Sequence, residues 1–224
     1  MRQRPILQHA IFPAAIAALL LGLLSGCYTY AERSSAAAGG KASGQAAASS
    51  PAASKAAASQ IAGLSLPKIR LAVAELQVIP AYAAPGRAPN VEHRMAAPLQ
   101  AVAAQWARRD VRAVGTTNRA RVIVREASIV ATALKRKTEV SGLFRKEPST
   151  RFFGTLALAI EVRSDTGDML GQVSARGTRS REVLEGSSEE QNKAVWRSMT
   201  ERLVADVARE LERQVSLRLT NFAR

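Results

Sequence analysis

The stretch that decides the fold is Phe152-Phe153-Gly154-Thr155-Leu156-Ala157-Leu158-Ala159-Ile160-Glu161-Val162-Arg163, followed by Ser164-Asp165-Thr166-Gly167-Asp168. Phe152, Leu156, Leu158, Ile160 and Val162 share one parity, and Thr155, Glu161 and Arg163 the other. Successive side chains of a strand point to opposite faces, so this is the pattern of a strand packed on one side only. The Ser164–Asp168 segment has the composition of a hairpin turn, and Met169 to about Val183 should return as its antiparallel partner.

Working outward, Arg121 to Leu134 is rich in Val and Ile and reads as the preceding strand, with Lys135-Arg136-Lys137 leading into a polar loop that holds Gly142 and Pro148. Further upstream, Lys68 to Ile79 reads as the first strand. Its apolar parity changes between Val73 and Leu76, which suggests a bulge near Glu75. Between these strands Pro98 can open a helix whose Leu99, Val102, Trp106 and Ala113 recur at helical spacing, with Gly115 as its stop. On the other side, Ser187 followed by Glu190 three residues later is a capping-box pattern. It introduces a long amphipathic helix toward Leu219 with a stripe of Trp196, Met199, Leu203, Val207, Leu211 and Val215. A helix of roughly 30 residues spans about 45 Å, so its end from about Arg213 is expected to fray, to project or to meet a partner.

The order β-α-β-β-β-α, with two amphipathic helices and a half-buried sheet, predicts an α+β fold: a four-stranded sheet with both helices on one face. The opposite face should carry Thr155, Ala157, Ala159, Glu161 and Arg163. The expected organisation is a leader over residues 1–26, a linker rich in Ala, Ser and Gly over 27–65, one domain over 66–219 and a tail over 220–224. Treated as a coil of roughly 35 residues, the linker would span about 30 to 35 Å.

The leader is the most specific motif. Arg2 and Arg4 precede an apolar run from Ile11 to Leu24, and Leu24-Ser25-Gly26-Cys27 follows, containing the chain's single cysteine. About 14 apolar residues are too few to cross roughly 30 Å of hydrocarbon as a helix and fit a signal-peptide core. Leu24, Ser25, Gly26 and Cys27 resemble a bacterial lipobox. That resemblance implies a diacylglycerol on the Cys27 thiol, cleavage before Cys27 and a further acyl chain on the new amino terminus. Burial contributes about 0.8 kcal/mol per methylene, so two or more chains give stable anchoring. Tyr28 stands where enterobacterial sorting reads aspartate as an inner-membrane signal. By resemblance the chain is expected on the periplasmic side of the outer membrane.

The segment from Leu66 to Leu219 also resembles, in element order, two families of small α/β envelope lipoproteins. These are the auxiliary lipoproteins of lipid-transporting ABC systems and the lipopolysaccharide-assembly lipoprotein. The features shared are the lipobox, a tryptophan-bearing helix (Gln105-Trp106-Ala107), a strand triplet with the Asp165–Asp168 turn, and a long last helix. The long Ala-rich linker departs from the lipopolysaccharide-assembly pattern. The resemblance implies a non-enzymatic accessory or assembly factor in envelope lipid or lipopolysaccharide transport, with an envelope protein as partner. The alternative is a scaffolding or regulatory lipoprotein that contacts a cell-wall enzyme or peptidoglycan.

Charge points the same way. The chain has 32 basic and 18 acidic residues, a formal charge of +14, which becomes +12 once Arg2 and Arg4 leave with the leader. Polyanions are the natural partners, here lipid phosphates, lipopolysaccharide or acidic cell-wall polymers, the alternative being a solvated basic surface. Lys135, Arg136, Lys137, Arg145 and Lys146 are the candidate anion-binding cluster. Further clusters lie at Arg119, Arg121 and Arg125 and at Arg176, Arg179 and Arg181. No aromatics interleave with them as a nucleic-acid platform requires, so nucleic acid is not an expected partner. His93 is the one histidine downstream of the leader, which excludes a His-based metal cluster. Glu92 beside it could do acid–base work, but a local ion pair with Arg94 or a helix-entry contact is the favoured reading. There is no Gly-Xaa-Ser-Xaa-Gly elbow and no Gly-rich phosphate loop, so neither an enzyme nor a cofactor is expected.

Overall fold

A computed structural model describes residues 50–135 and 148–224. The lipobox and most of the expected linker therefore lie outside the described residues. The elements in chain order are α1 (Pro51–Ile61), β1 (Ile69–Leu71), β2 (Glu75–Pro80), a short 3-10 turn (Glu92–Arg94), α2 (Leu99–Asp110), β3 (Val111–Ala113), β4 (Arg119–Ala133), β5 (Pro148–Arg163), β6 (Met169–Leu184) and α3 (Glu189–Arg218).

The main sheet has the order β2-β4-β5-β6. The β2–β4 pairing is parallel, and the β4–β5 and β5–β6 pairings are antiparallel. On β5 the even positions Leu156, Leu158, Ile160 and Val162 are buried against the helices, as their alternation predicts. Helix α3 lies over β5 and β6, α2 over β4 and β2, and the two helices touch. The fold is therefore α+β, with α2 and α3 on one face of the main sheet. The whole expected stripe of α3, from Trp196 to Val215, is buried.

Close approach of α3 to the sheet depends on missing side chains. A Cβ at Gly154 would lie 2.8 Å from Leu203 Cδ1, one at Gly177 2.8 Å from Val207 Cγ2, and one at Gly171 2.6 Å from Leu219 Cδ2. These three glycines let branched residues of the helix and its C-cap Leu219 reach the level of the sheet, which sets the interlayer distance below what β-carbons would allow.

Several expectations need correction. The domain does not begin at Leu66. Ser50 accepts a hydrogen bond from the Ala53 amide at 3.1 Å, Pro51 opens the first turn, and α1 buries Ala53, Ala57 and Ile61. These three residues sit four apart on one stripe that packs against α2. Arg109 secures the end of α1, donating to the Ile61 carbonyl at 2.5 Å and the Leu64 carbonyl at 3.3 Å, and it pairs with the buried Asp110.

The stretch Lys68–Ile79 is two strands rather than one bulged strand. β1 pairs in parallel with β3 in a separate two-stranded sheet, while β2 joins the main sheet. Parity changes at Ala72–Ala74 because the chain changes sheets there. Helix α2 ends at Asp110, before β-branched Val111 turns extended, so Gly115 is not its stop. Gly115 instead presses on the β1–β2 corner: its amide donates to the Val73 carbonyl at 2.9 Å, and a Cβ there would meet the Ala72 carbonyl carbon at 2.5 Å.

The capping box of α3 is Ser188 with Gln191, one residue later than expected. Ser187 is already committed to the preceding turn, where its hydroxyl donates to the Leu184 carbonyl at 2.7 Å. Nor does the end of α3 project: Val215 and Leu219 are each 3% exposed. Residues 222–224 are not a loose tail. The Ala72 amide donates to Phe222 O at 2.8 Å, the Arg224 amide to Arg70 O at 3.1 Å, and Leu71 bridges Ala223.

Candidate functional site

Of the residues singled out in the sequence, Leu24, Ser25, Gly26, Cys27, Arg136, Lys137, Arg145 and Lys146 lie outside the described residues. Lys135 is described: it stands exposed just beyond the end of β4. The structure therefore does not bring that cluster together among the described residues.

The other basic clusters are largely dispersed into ion pairs. On the sheet face turned away from the helices, Glu126 on β4 and Arg176 on β6 both stand opposite Ala157 on β5 and meet across it at 2.5 Å. Arg151 pairs with Glu182 directly across the β5–β6 ladder at 2.7 Å. Arg125 and Arg163 share Glu161, each at 3.3 Å. Arg179 turns the other way and holds Asp206 of α3 at 2.5 Å. Exposed pairs like these contribute about 0–1 kcal/mol each. Their functional effect is to cancel much of the positive charge that composition assigns to this surface.

Glu92 is not poised for acid–base chemistry in the open. It is buried, and its Oε1 accepts from the Ile129 amide at 2.6 Å and from Asn90 Nδ2 at 3.0 Å. β2 ends opposite Val124, so the next stretch of β4 has no neighbouring strand on that side. The Pro89–Val91 segment fills the gap, with Ala131 N donating to Pro89 O and Val91 N to Ile129 O, and the Glu92 carboxylate takes the Ile129 amide. The carboxylate thus stands in for a strand carbonyl. Arg94 does not pair with it but pairs with Glu189. His93 is exposed.

Tyr82 completes this polar corner. Burial, then the Glu92 and Glu126 charges, push its phenol up from 10.0 to about 12, against a smaller opposing pull from Asn90. Gln100 holds the Tyr82 carbonyl at 2.6 Å. No set of three His, Cys, Asp or Glu side chains suited to a metal ion occurs among the described residues.

The best-formed concavity is a groove of about 320 Å³ where α1, the Met95–Ala97 segment and the first turns of α3 meet. Ala56, Met95, Ala97 and Trp196 give it an apolar lining, and Lys193 and Arg197 stand at its sides. Trp196 is 1% exposed and clamped. The Arg94 guanidinium lies 5.2 Å from its ring centroid, and Phe152 meets it edge-on with centroids 5.5 Å apart at 87°. The indole Nε1 has no hydrogen-bond partner among the described residues. Arg197 pairs with Glu201 at 3.0 Å, and Lys193 lies 3.9 Å from Glu189 and 3.8 Å from Glu190. A rigid apolar concavity with ionic sides is built to hold an apolar group. Its lining pairs no nucleophile with a base.

Sequence reasoning missed this groove because one wall is α1, which the Ala/Ser composition assigned to the linker. The signal available was Ser50-Pro51, a capping residue before a first-turn proline.

No helix among the described residues is long and apolar enough to cross a membrane. No family model and no curated protein matches the chain. Solved structures with partial likeness include a minor lipoprotein from Acinetobacter baumannii, at 13% identity and TM-score 0.35, covering 69% of this chain and 98% of that one. Another is a protein of Caulobacter crescentus CB15 provisionally described as a lipoprotein, at 11% identity and TM-score 0.31, covering 46% of this chain and 67% of that one. A PelC dodecamer from Paraburkholderia phytofirmans is similar at 15% identity and TM-score 0.23, covering 65% of this chain and 94% of that one.

Proposed function

We propose that this chain is a lipid-anchored protein of the bacterial envelope, held on the periplasmic side of the outer membrane through acyl chains on Cys27. There it acts as a non-enzymatic accessory or assembly factor for lipid or lipopolysaccharide transport. The observation that carries the reading is Leu24-Ser25-Gly26-Cys27, in which the chain's single cysteine directly follows an apolar run too short to span a bilayer. The groove beside Trp196 supports the lipid-handling part, because its apolar lining suits a hydrocarbon segment better than a polar substrate.

The test is metabolic labelling with a radioactive fatty acid, followed by separation of inner and outer membranes. The wild-type chain is expected to carry label and to fractionate with the outer membrane. Cys27→Ser is expected to carry none and to accumulate at precursor mass. Normal processing and membrane recovery of that variant overturns the anchor. For the transport role, deletion of the gene is expected to change the lipid or lipopolysaccharide content of the outer leaflet, and an unchanged envelope lipid profile overturns it.

A further inference from the structure

A second cleft, of about 510 Å³, opens between β2 and β3 and is lined by Leu76, Gln77, Val78, Arg108, Val111, Arg112 and Ala113. Three features together mark it as a candidate anion site. First, no carboxylate among the described residues pairs with Arg108 or Arg112, whereas the arginines on the outer sheet face at positions 125, 151, 163 and 176 each hold an acid. Second, Arg70 of β1 stands directly opposite Arg112 in the parallel β1–β3 register, and it too has no acidic partner among the described residues. Like charges directly opposite one another destabilise a strand pair unless an anion joins them. Third, β2 is the edge of its sheet, so alternate backbone N–H groups along Leu76–Val78 have no strand to pair with on the cleft side.

Guanidinium forks beside unpaired strand-edge donors match the oxygens of a phosphate group. The apolar part of the lining, Leu76, Val78, Val111 and Ala113, leaves room beside that group for a hydrocarbon substituent. We infer that this cleft binds a phosphate ester, its oxygens held between Arg108 and Arg112 with Arg70 behind them. A membrane-lipid head group and a soluble phosphate ester share this chemistry. The inference requires neither the Cys27 anchor nor the transport role, and its failure leaves both standing.

The test is calorimetric titration of the full chain in non-ionic detergent with three probes: inorganic phosphate, water-soluble dihexanoyl phosphatidylglycerol, and dihexanoyl phosphatidylcholine. Two variants are compared, Arg108→Gln/Arg112→Gln in the cleft and Arg87→Gln/Arg202→Gln elsewhere on the surface. All four side chains are exposed, so circular dichroism is expected to show wild-type melting for both variants. The cleft variant is expected to lose about 10- to 100-fold in affinity for phosphatidylglycerol, the range for two charge-assisted contacts. The control pair, which removes the same charge, is expected to change it by less than about twofold.

Saturable phosphate binding abolished in the cleft variant supports the site with a soluble source. Phosphatidylglycerol binding without phosphate binding supports it with a lipid source. Equal losses in both variants overturn it in favour of a diffuse basic surface. Absence of saturable binding by the wild-type chain overturns it outright, as does equal affinity of wild-type and cleft variant for the two lipids.

Discussion

Replacing Gly177 by alanine tests the claim that missing side chains set the distance between α3 and the sheet. The added Cβ would stand 2.8 Å from Val207 Cγ2, while Leu203 Cδ2 at 3.8 Å is in ordinary contact. The conflict therefore lies with one methyl. Val207 cannot swing it aside, because a β-branched residue in a helix has one strongly preferred χ1 rotamer. Overpacking of this kind costs about 1–3 kcal/mol, and relief of the glycine penalty in a strand returns about 0.5–1 kcal/mol. The expected net loss is about 0.5–2 kcal/mol. For a domain of this size it lowers Tm by about 2–4 °C per kcal/mol.

Val207→Ala alone should cost about 2–3 kcal/mol, from two lost methyl groups and the cavity they leave. In the double variant the new methyl at position 177 occupies part of that cavity. The expected loss is then no greater than that of Val207→Ala, a coupling at least as large as the Gly177→Ala loss itself, about 0.5–2 kcal/mol. Urea unfolding reads this directly through Trp106 and Trp196, which are 0% and 1% exposed in the folded chain. If the two losses add to within about 0.5 kcal/mol, the side chains do not compete for one space and the spacing argument fails.

Gly115→Ala should be more severe, about 2–3 kcal/mol, because its Cβ meets backbone atoms of Ala72 and Val73 at 2.5–2.9 Å rather than a side chain that can yield. Gly63→Ala, with nothing within 4 Å of the added atom, is the matched control and should be close to neutral, as thermal melts will show. Alkaline pH should weaken the fold through Tyr82. Its folded pKa is raised to about 12 from 10.0, so the neutral phenol favours the folded state, and that contribution is complete below pH 10 and lost as pH climbs from 10 to 12. Tm measured between pH 9 and 11.5 should fall less steeply in Tyr82→Phe than in the wild type, and parallel curves would refute the assignment.

The elements legible in the sequence are those whose side chains are large and regularly spaced. The sequence of β5 alternates cleanly and its even positions from Leu156 to Val162 are all buried, though Thr155 and Ala159 of the other parity are covered as well, and α3 carries a stripe of Trp, Met, Leu and Val. The Ser164–Asp168 turn was equally readable, because its side chains bond locally: Thr166 Oγ1 donates to Asp168 Oδ2 at 2.7 Å and the Asp168 amide to Ser164 Oγ at 2.9 Å. The Thr166 hydroxyl, joined by Ser164 Oγ donating to the same Oδ2 at 3.3 Å, holds the Asp168 carboxyl below its ordinary pKa.

α1 was hidden because two of its three buried residues are alanines, which contribute little area and leave the composition of a linker. The split of β1 from β2 was hidden because a change of sheet and a bulge produce the same break in parity. The candidate sites were least legible. The pairing of Arg176 with Glu126, 50 residues away, or of Arg179 with Asp206, depends on strand register and helix position that no local pattern encodes. Conversely, Arg70, Arg108 and Arg112 look like any other arginines until register and cleft place them together.

The Phe222–Arg224 contacts to Arg70–Ala72 have a consequence for how this chain acquires its shape. The first strand of the domain completes its hydrogen bonds only with residues about 150 positions later, so the loop to be closed is nearly the whole domain. A polypeptide threaded through a narrow pore from its amino terminus would leave β1 waiting for Phe222 to emerge. The domain would thus stay open during passage and lock only on the far side, which is compatible with the membrane-crossing leader proposed above.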